Sequence, residues 1–298
     1  MTESSGLTRM RKLLLQLDAD PLPSAFDRVV AYDAGADEVL SYGGVGDADV
    51  RGLVHGAIFT RGPKDLKHTA LFIGGSSLAK GERLLHEAKQ SFFGPFRVSI
   101  LFDPNGSNTT AAAAVVKLVR AAGGDVRGRR ALVLAGTGPV GTRAAGLLLR
   151  LGAEVRITSR AAAHGAAAAQ QIGARFNGTV AHFTLAGGAE ARELLAWAEL
   201  VLAAGPAGVQ LLARDAWAGQ SGLKALADVN AVPPLGIEGI EATDNGTPRE
   251  AVPAFGALGI GALKMEAHKA AIAQLFERND LVLDAEQIYD LCARRDGP

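Results

Sequence analysis

Residues 131–160, ALVLAGTGPVGTRAAGLLLRLGAEVRITSR, restrict the possible folds more than any other stretch. Ala131–Ala135 is a short apolar run of strand type, and Gly136-Thr137-Gly138-Pro139-Val140-Gly141 follows at once. An Ala/Leu-rich helical segment runs to about Leu151, Gly152 stops it, and Glu154–Thr158 reads as a second strand. Strand, glycine turn, helix and strand within about thirty residues make a βαβ unit of dinucleotide-binding type. Gly136 permits the tight turn, Gly138 lets the backbone approach a pyrophosphate, and Gly141 lets helix and strand pack closely. The helix start adds N–H groups and the positive end of its dipole. A purely structural βα turn is the alternative reading of the same glycines.

The end of the second strand bears on which dinucleotide binds. An NAD-preferring site usually has Asp or Glu there, to hold the ribose 2′-OH. Here the strand ends Ile157-Thr158-Ser159-Arg160, without an acid. Arg160 can pair with a 2′-phosphate, and Thr158 and Ser159 can donate hydroxyl hydrogen bonds. NADP is therefore expected, with NAD still permitted. The alternative is that Arg160 is an ordinary surface arginine beginning the next helix.

A chain of 298 residues suggests two domains, each with its own core. Hydrophobic residues at 48% and charged residues at 21% are ordinary for a globular protein. The net charge of zero gives no electrostatic footprint for nucleic acid or an anionic membrane. The single cysteine, Cys292, leaves no intramolecular disulfide or cysteine metal cluster and suits a reducing cytoplasm. Leu13–Leu17 is too short, and interrupted by Gln16, to be a signal-peptide core. No two of the six histidines have metal-ligand spacing beside an acid, so no metal is expected.

Apolar strands ending in glycine alternate with helices before residue 124. The candidates are Lys12–Leu17, Val39–Tyr42, Ala57–Thr60, Thr69–Ile73 and Val98–Phe102. The pattern implies a parallel sheet covered on both faces. Ser24 is a candidate N-cap for a helix through about Asp33. Asp103–Thr110, DPNGSNTT, lies between a strand and an Ala-rich helix at 109–122, where a binding crevice is expected in an open α/β sheet. Gly123-Gly124 and Arg127–Arg130 read as a linker. The fold class is thus α/β, an N-terminal parallel-sheet domain (11–124) followed by a Rossmann-type NAD(P)-binding domain (125–264). Helices at about 265–298 are expected to complete the first domain.

Within the second domain, Leu200–Ala203 ends in Ala204-Gly205-Pro206, small residues that leave room beside a dinucleotide. Ala225–Val229 ends at Asn230, and Leu258–Lys264 reads as a sixth strand. Lys264 follows the apolar run Gly256–Leu263, where a charge is out of keeping; snorkelling from a helix start is the alternative.

Five runs carry a family resemblance: Leu13–Asp37, Phe92–Ala113 (FFGPFRVSILFDPNGSNTTAAA), Val133–Gly141, Ala227–Asp244 (ADVNAVPPLGIEGIEATD) and Phe255–Ala270 (FGALGIGALKMEAHKA). On these, the chain resembles the bacterial methylene-tetrahydromethanopterin / methylene-tetrahydrofolate dehydrogenases of one-carbon metabolism. The resemblance implies an active site in the cleft between the two domains, with a tetrahydromethanopterin or tetrahydrofolate C1 carrier as substrate. It further implies hydride transfer from the methylene carbon to NADP or NAD, and a homo-oligomer. It places Lys264 in the pterin site as a positioning residue.

A pterin edge displays an amide N–H, an amino group and a carbonyl, natural partners for carboxylates and amides. Asp27, Asp103, Asn105, Asn108 and Asn230 are the substrate candidates, with Phe26 against the ring face; the nicotinamide side is the alternative for Asn230. Asp27 and Phe26 are otherwise plain surface helix residues. The cofactor candidates are Gly136–Gly141, Thr158, Ser159, Arg160, Ala204, Pro206 and Asn230. Two further readings compete. A shikimate- or amino-acid-dehydrogenase-like enzyme would need a Lys/Asp pair such as Lys64 and Asp65, or Lys67. A non-catalytic NADP sensor would need neither the 103–110 loop nor Lys264.

Overall fold

The structure, a computed structural model, describes residues 9–185 and 188–296. The chain opens with β1 (Leu13–Asp18), α1 (Ala25–Asp33), β2 (Glu38–Tyr42), α2 (Asp47–Ile58), β3 (Thr69–Gly74), α3 (Leu78–Gln90) and β4 (Ser99–Phe102). It continues with α4 (Ser107–Ala121), β5 (Arg130–Leu134), α5 (Pro139–Arg150), β6 (Glu154–Ser159), α6 (Ala162–Phe176), β7 (Val180–Thr184) and α7 (Gly188–Trp197). Then come β8 (Leu200–Ala203), α8 (Arg214–Trp217), β9 (Ala225–Asp228), β10 (Asn245–Arg249), β11 (Val252–Phe255) and α9 (Ala257–Gln274). β12 (Val282–Leu283) and α10 (Ala285–Arg295) close the chain.

Contacts divide it into two units. The first holds residues up to Asn105 together with His268–Asp284; the second holds Gly106–Ala267 and the chain from Ala285 onward. In the first unit a five-stranded parallel sheet has the order β12-β4-β3-β1-β2. Every residue of β3, TALFIG, is buried, as a central parallel strand requires. The carboxyl ends of β1 and β3 are tied by acids: Asp18 accepts from the N–H groups of Asp20 (2.9 Å) and Ser24 (3.1 Å), and Asp20 from the N–H and hydroxyl of Ser76. Ser24 caps α1, its hydroxyl accepting from Asp27 N at 3.2 Å.

The second unit holds a seven-stranded sheet, β10-β11-β9-β8-β5-β6-β7, parallel except for the β10–β11 pair. Its core gathers Leu132, Leu134, Val201, Leu226 and Trp217, the last donating its indole N–H to Glu238 O.

Three expectations are corrected. Ala57–Thr60 is not a strand: α2 runs to Ile58, and Ala57 and Ile58 lie buried with Val50 and Val54 on one helical face. Leu258–Lys264 is not the sixth strand but part of α9; β11 is that strand, pairing in parallel with β9. A short apolar run has no periodicity that separates helix from strand. The boundary also moves. Eleven of the fifteen residues of α4 are buried, and α4 packs against α5, α10, β9 and β11 in the second unit. Gly123 and Gly124, both at positive φ, turn the chain out of α4 rather than linking domains. Of the C-terminal segment, only His268–Asp284 joins the first unit. α10 is held to α4 by the pairs from Lys117 and Arg120 to Asp296.

Close packing at the start of α9 explains Gly256 and Gly259. A Cβ at Gly256 would lie 2.0 Å from Glu241 O, and one at Gly259 2.1 Å from Asp244 O. Helix and loop backbones are thus in direct contact, joined by Gly256 N–H to Asp244 O and Leu258 N–H to Ala242 O. Asp244 is buried and holds the loop, accepting from Glu241 N and from Arg249 through both oxygens. Burial works against its carboxylate, but the Arg249 guanidinium and the Glu241 N–H outweigh it, so Asp244 sits below the usual carboxylate range.

A lowered folded pKa contributes stability above the unfolded value of about 3.9, lost as pH falls through the folded value. Asp244→Asn is therefore expected to destabilise by about 1–3 kcal/mol at pH 7. The gap from wild type should shrink in urea unfolding below about pH 4. A gap that stays constant with pH would show that Asp244 acts through shape rather than charge.

Candidate functional site

Counting its parallel strands from one edge, the second sheet runs β7-β6-β5-β8-β9-β11, and the direction of winding reverses between β5 and β8. Ligands in open α/β sheets bind beyond the carboxyl ends of the strands at such a reversal. The turn Ala135–Gly138 leaves β5 there, with Ala204 at the end of β8 alongside, its N–H donating to Leu134 O.

The three turn glycines are used differently. A Cβ at Gly136 would lie 2.6 Å from the Ile157 Cβ of β6. One at Gly141 would lie 2.8 Å from Gly136 Cα. Both residues are buried, and the fold leaves no room for a side chain at either. At Gly138, φ is −77° and ψ 171°, open to any residue, and the nearest atoms to a Cβ are the Ala135 and Ala204 carbonyl oxygens at 3.9 Å. Neither backbone nor packing demands glycine at 138. Gly138 is the N-cap of α5, without a side-chain cap and without an acid in the first turn, and Pro139 occupies the first helical position. Thr137 is exposed, and Pro139 and Val140 are partly so.

Thr158 and Ser159 have internal tasks. The buried Thr158 Oγ1 accepts from Ala135 N at 3.0 Å, and Thr158 O accepts from Gly136 N at 2.9 Å. These bonds brace Ala135, whose φ of 52° is unfavourable for alanine. Ser159 Oγ donates to Ala161 O at 2.7 Å. Arg160 is exposed and makes no ion pair among the described residues. It opens onto α6, whose first turn carries neither an acid nor a side-chain cap.

At the end of β9, Asn230 is also committed. Its side-chain oxygen accepts from Val232 N and its amide donates to Pro234 O, so it shapes the 230–234 turn. The neighbouring Asp228 is fully buried and accepts from Asn230 N and Ile237 N. Burial pushes its carboxyl upward, while these N–H groups and that of Gly236 pull it back only in part. Pro206 is exposed and Ala204 half-buried.

The stretch 103–110 divides. In the first unit, Asp103 is fully buried beyond β4, its N–H donating to Ile73 O, and Asn105 is exposed with φ 56°. Phe26 is 52% exposed, its ring 6.5 Å from that of His268, which stacks on Phe72; Asp27 is partly exposed in the first turn of α1. In the second unit, Asn108 is wholly buried and accepts from Arg143 Nε at 3.0 Å, joining α4 to α5. Asn108 thus serves packing, which its place in a polar loop did not announce.

Sequence reasoning passed over Arg143, and took Gly106 and Ser107 only as members of the 103–110 stretch. Arg143 is buried, and a charge set among alanines, glycines and leucines was the available signal. Gly106, the N-cap of α4, has the Lys264 ammonium beside it. Ser107 is fully buried, and its hydroxyl has no hydrogen-bond partner among the described residues. Lys264 stands on α9, partly exposed.

A family model described as methylene-tetrahydromethanopterin dehydrogenase, N-terminal, matches residues 25–105. The bifunctional protein MdtA of Methylorubrum extorquens is 50% identical over 281 residues, covering 94% of this chain and 98% of that protein. The NAD(P)-dependent methylenetetrahydromethanopterin dehydrogenase of the same organism is 32% identical over 290 residues, covering 92% and 95%. Among solved structures, shikimate 5-dehydrogenase from Listeria monocytogenes superposes with a TM-score of 0.51 at 13% identity, covering 98% of this chain and 99% of that one. Ornithine transcarbamoylase from Giardia lamblia also reaches 0.51 at 13%, covering 89% and 85%. Two different chemistries matched equally well show a shared fold and nothing more. The identities over nearly full length decide the relationship: the chain belongs to the methylene-tetrahydromethanopterin dehydrogenase family.

Proposed function

We propose that this chain oxidises the methylene carbon of methylene-tetrahydromethanopterin to the methenyl form, with NADP as hydride acceptor and NAD as a poorer substitute. The observation that carries the nucleotide half is Gly138, a glycine the fold does not require at the open N-terminus of α5. Close approach of a pyrophosphate accounts for it. Arg160, exposed at the end of β6, supports a 2′-phosphate contact. Thr158 and Ser159 support it indirectly, by holding the turn and the start of α6. Asn230 and Ala204 line the same carboxyl edge through backbone shape and small size.

The carrier is argued from relatives. Both the family model and the NAD(P)-dependent relative are named for methanopterin. Bound in the second unit, the nicotinamide supplies the hydride acceptor. Loss of hydride from the methylene carbon leaves a delocalised cation, so no side chain need move a proton at that carbon. The protein's contribution is then orientation and electrostatics. Lys264, Asp103, Asn105, Asp27 and Phe26 are the residues we assign to the pterin. Lys264 is suited to donating to a ring oxygen or nitrogen rather than to stabilising a cationic product. The competing acid–base pair has no support: Lys64, Asp65 and Lys67 precede β3, at the amino end of that sheet.

Absorbance of the methenyl product and of NADPH tests the reading directly, using methylene-tetrahydromethanopterin and methylene-tetrahydrofolate in parallel. Turnover with the methanopterin carrier and NADP is expected; silence with both carriers and both nucleotides defeats it. Lys264→Ala should lower kcat by about 10-fold or more while NADP affinity holds. Arg160→Ala should raise KM for NADP by about 10- to 100-fold and leave that for NAD nearly unchanged, from the loss of one charge-assisted contact. Equal shifts for both nucleotides would remove Arg160 from the 2′-phosphate.

Gly138→Ala and Gly141→Ala separate ligand from fold. The first should leave the melting temperature near wild type yet weaken NADP in calorimetry by about 10-fold or more. The second should destabilise by about 1–3 kcal/mol through overpacking. Nucleotide affinity untouched by Gly138→Ala would defeat the pyrophosphate assignment.

A further inference from the structure

The turn entering α4 contains consecutive left-handed residues, Asn105 (φ 56°, ψ 23°) and Gly106 (φ 59°, ψ 22°). Their backbones are almost the same, yet one is asparagine and the other glycine. Asparagine tolerates this region because its short polar side chain bonds locally. The dihedral angles at 106 would accept asparagine as readily as those at 105 do. The difference lies in the space. A Cβ at Gly106 would stand 3.2 Å from Lys264 Nζ, 3.3 Å from Lys264 Cε and 3.8 Å from Thr109 Oγ1. The first two distances are tighter than a carbon comfortably allows, so the end of the lysine would have to give way. The Thr109 hydroxyl donates to Gly106 O at 3.2 Å, which holds the carbonyl side of the same turn.

We propose that Gly106 is a positioning residue: its missing side chain is the seat on which the Lys264 ammonium rests, at the first turn of α4. The proposal deepens the role given to Lys264 above and rests on it. Lysine is a point charge on a flexible four-carbon stem. Its placement therefore depends on what bounds its last carbons, and here one boundary is the side of Gly106 where a Cβ would stand. α4 is well suited to be that boundary. It is buried along most of its length and tied to α5 by the Asn108–Arg143 bond, so the seat moves little. A side chain at 106 would push the end of the lysine aside by a few tenths of an ångström while the nucleotide turn at 136–141 stays as it is.

A double-mutant cycle on the full chain tests this, with Gly106→Ala, Gly106→Asn, Lys264→Ala and the Gly106→Asn/Lys264→Ala double variant. The readouts are kcat with the C1 carrier, NADP affinity by calorimetry and thermal stability. Both substitutions at 106 should lower kcat by about 2- to 10-fold, less than the loss expected for a full ångström of misplacement. NADP affinity should stay within about 2-fold, since the seat lies outside the nucleotide turn. The double variant should be no slower than Lys264→Ala, because no ammonium remains to be displaced. Gly106→Asn separates the seat from backbone strain: it keeps a tolerated left-handed residue and still adds the Cβ. Wild-type turnover in Gly106→Asn, or losses that add in the double variant while Lys264→Ala is impaired, overturns the proposal and leaves the dehydrogenase reading standing. Full turnover in Lys264→Ala overturns both the seat and the role assigned to Lys264. A wild-type chain inactive with both carriers overturns the functional reading, and the seat with it.

Discussion

The second unit depends on a contact that no side chain makes. At the exit of β5 the chain turns back so tightly that Gly141 of α5 rests on Gly136, where a Cβ would come within 2.8 Å of the opposing Cα. This approach aims the N-terminus of α5 beyond the sheet edge. It forces a left-handed alanine at 135, which Thr158 of β6 braces by accepting its N–H. The dinucleotide turn is therefore a property of two strands and a helix together. Polar residues beside it serve first to keep it rigid.

The same economy recurs at α9. Its start lies on the backbone of the 241–244 loop because Gly256 and Gly259 carry no side chain. The loop is held in turn by the buried Asp244 carboxylate and Arg249. Lys264 is two turns further along that helix. The placement of one cation thus traces back through helix and loop to the ion pair of the buried Asp244 with the half-buried Arg249, and on its other side to a glycine at the head of α4. Rigid elements, with glycine where backbones meet, set the lysine more firmly than a loop would.

Several candidates were legible in type but not in task. Asn108, Thr158, Ser159 and Asn230 are polar residues at strand or helix ends, where ligand contacts are expected. Each also has a task in the fold: Asn108 and Thr158 bond to other elements, Ser159 and Asn230 within their own turns. A sequence shows that a residue can donate or accept; it does not show which protein group reaches it first. Asn108 pairs with Arg143 across 35 positions, a distance over which neighbouring residues carry no signal. The run 256–264 failed for a different reason. Its glycines and apolar residues suit a buried strand as well as a helix start, and only the loop beneath α9 distinguishes them.

By itself the sequence determined the α/β alternation, the βαβ dinucleotide unit, the absence of an acid after β6 and the family. These rest on local order: apolar runs, glycine spacing and the residue that ends a strand. Tertiary structure alone decided that α4 belongs with the second sheet, that β11 rather than 258–264 is the sixth parallel strand, and that Gly138 is the one turn glycine the fold does not need. The reason is physical. Local order selects among backbone conformations, whereas the room left at a Cβ depends on atoms brought there by distant parts of the chain.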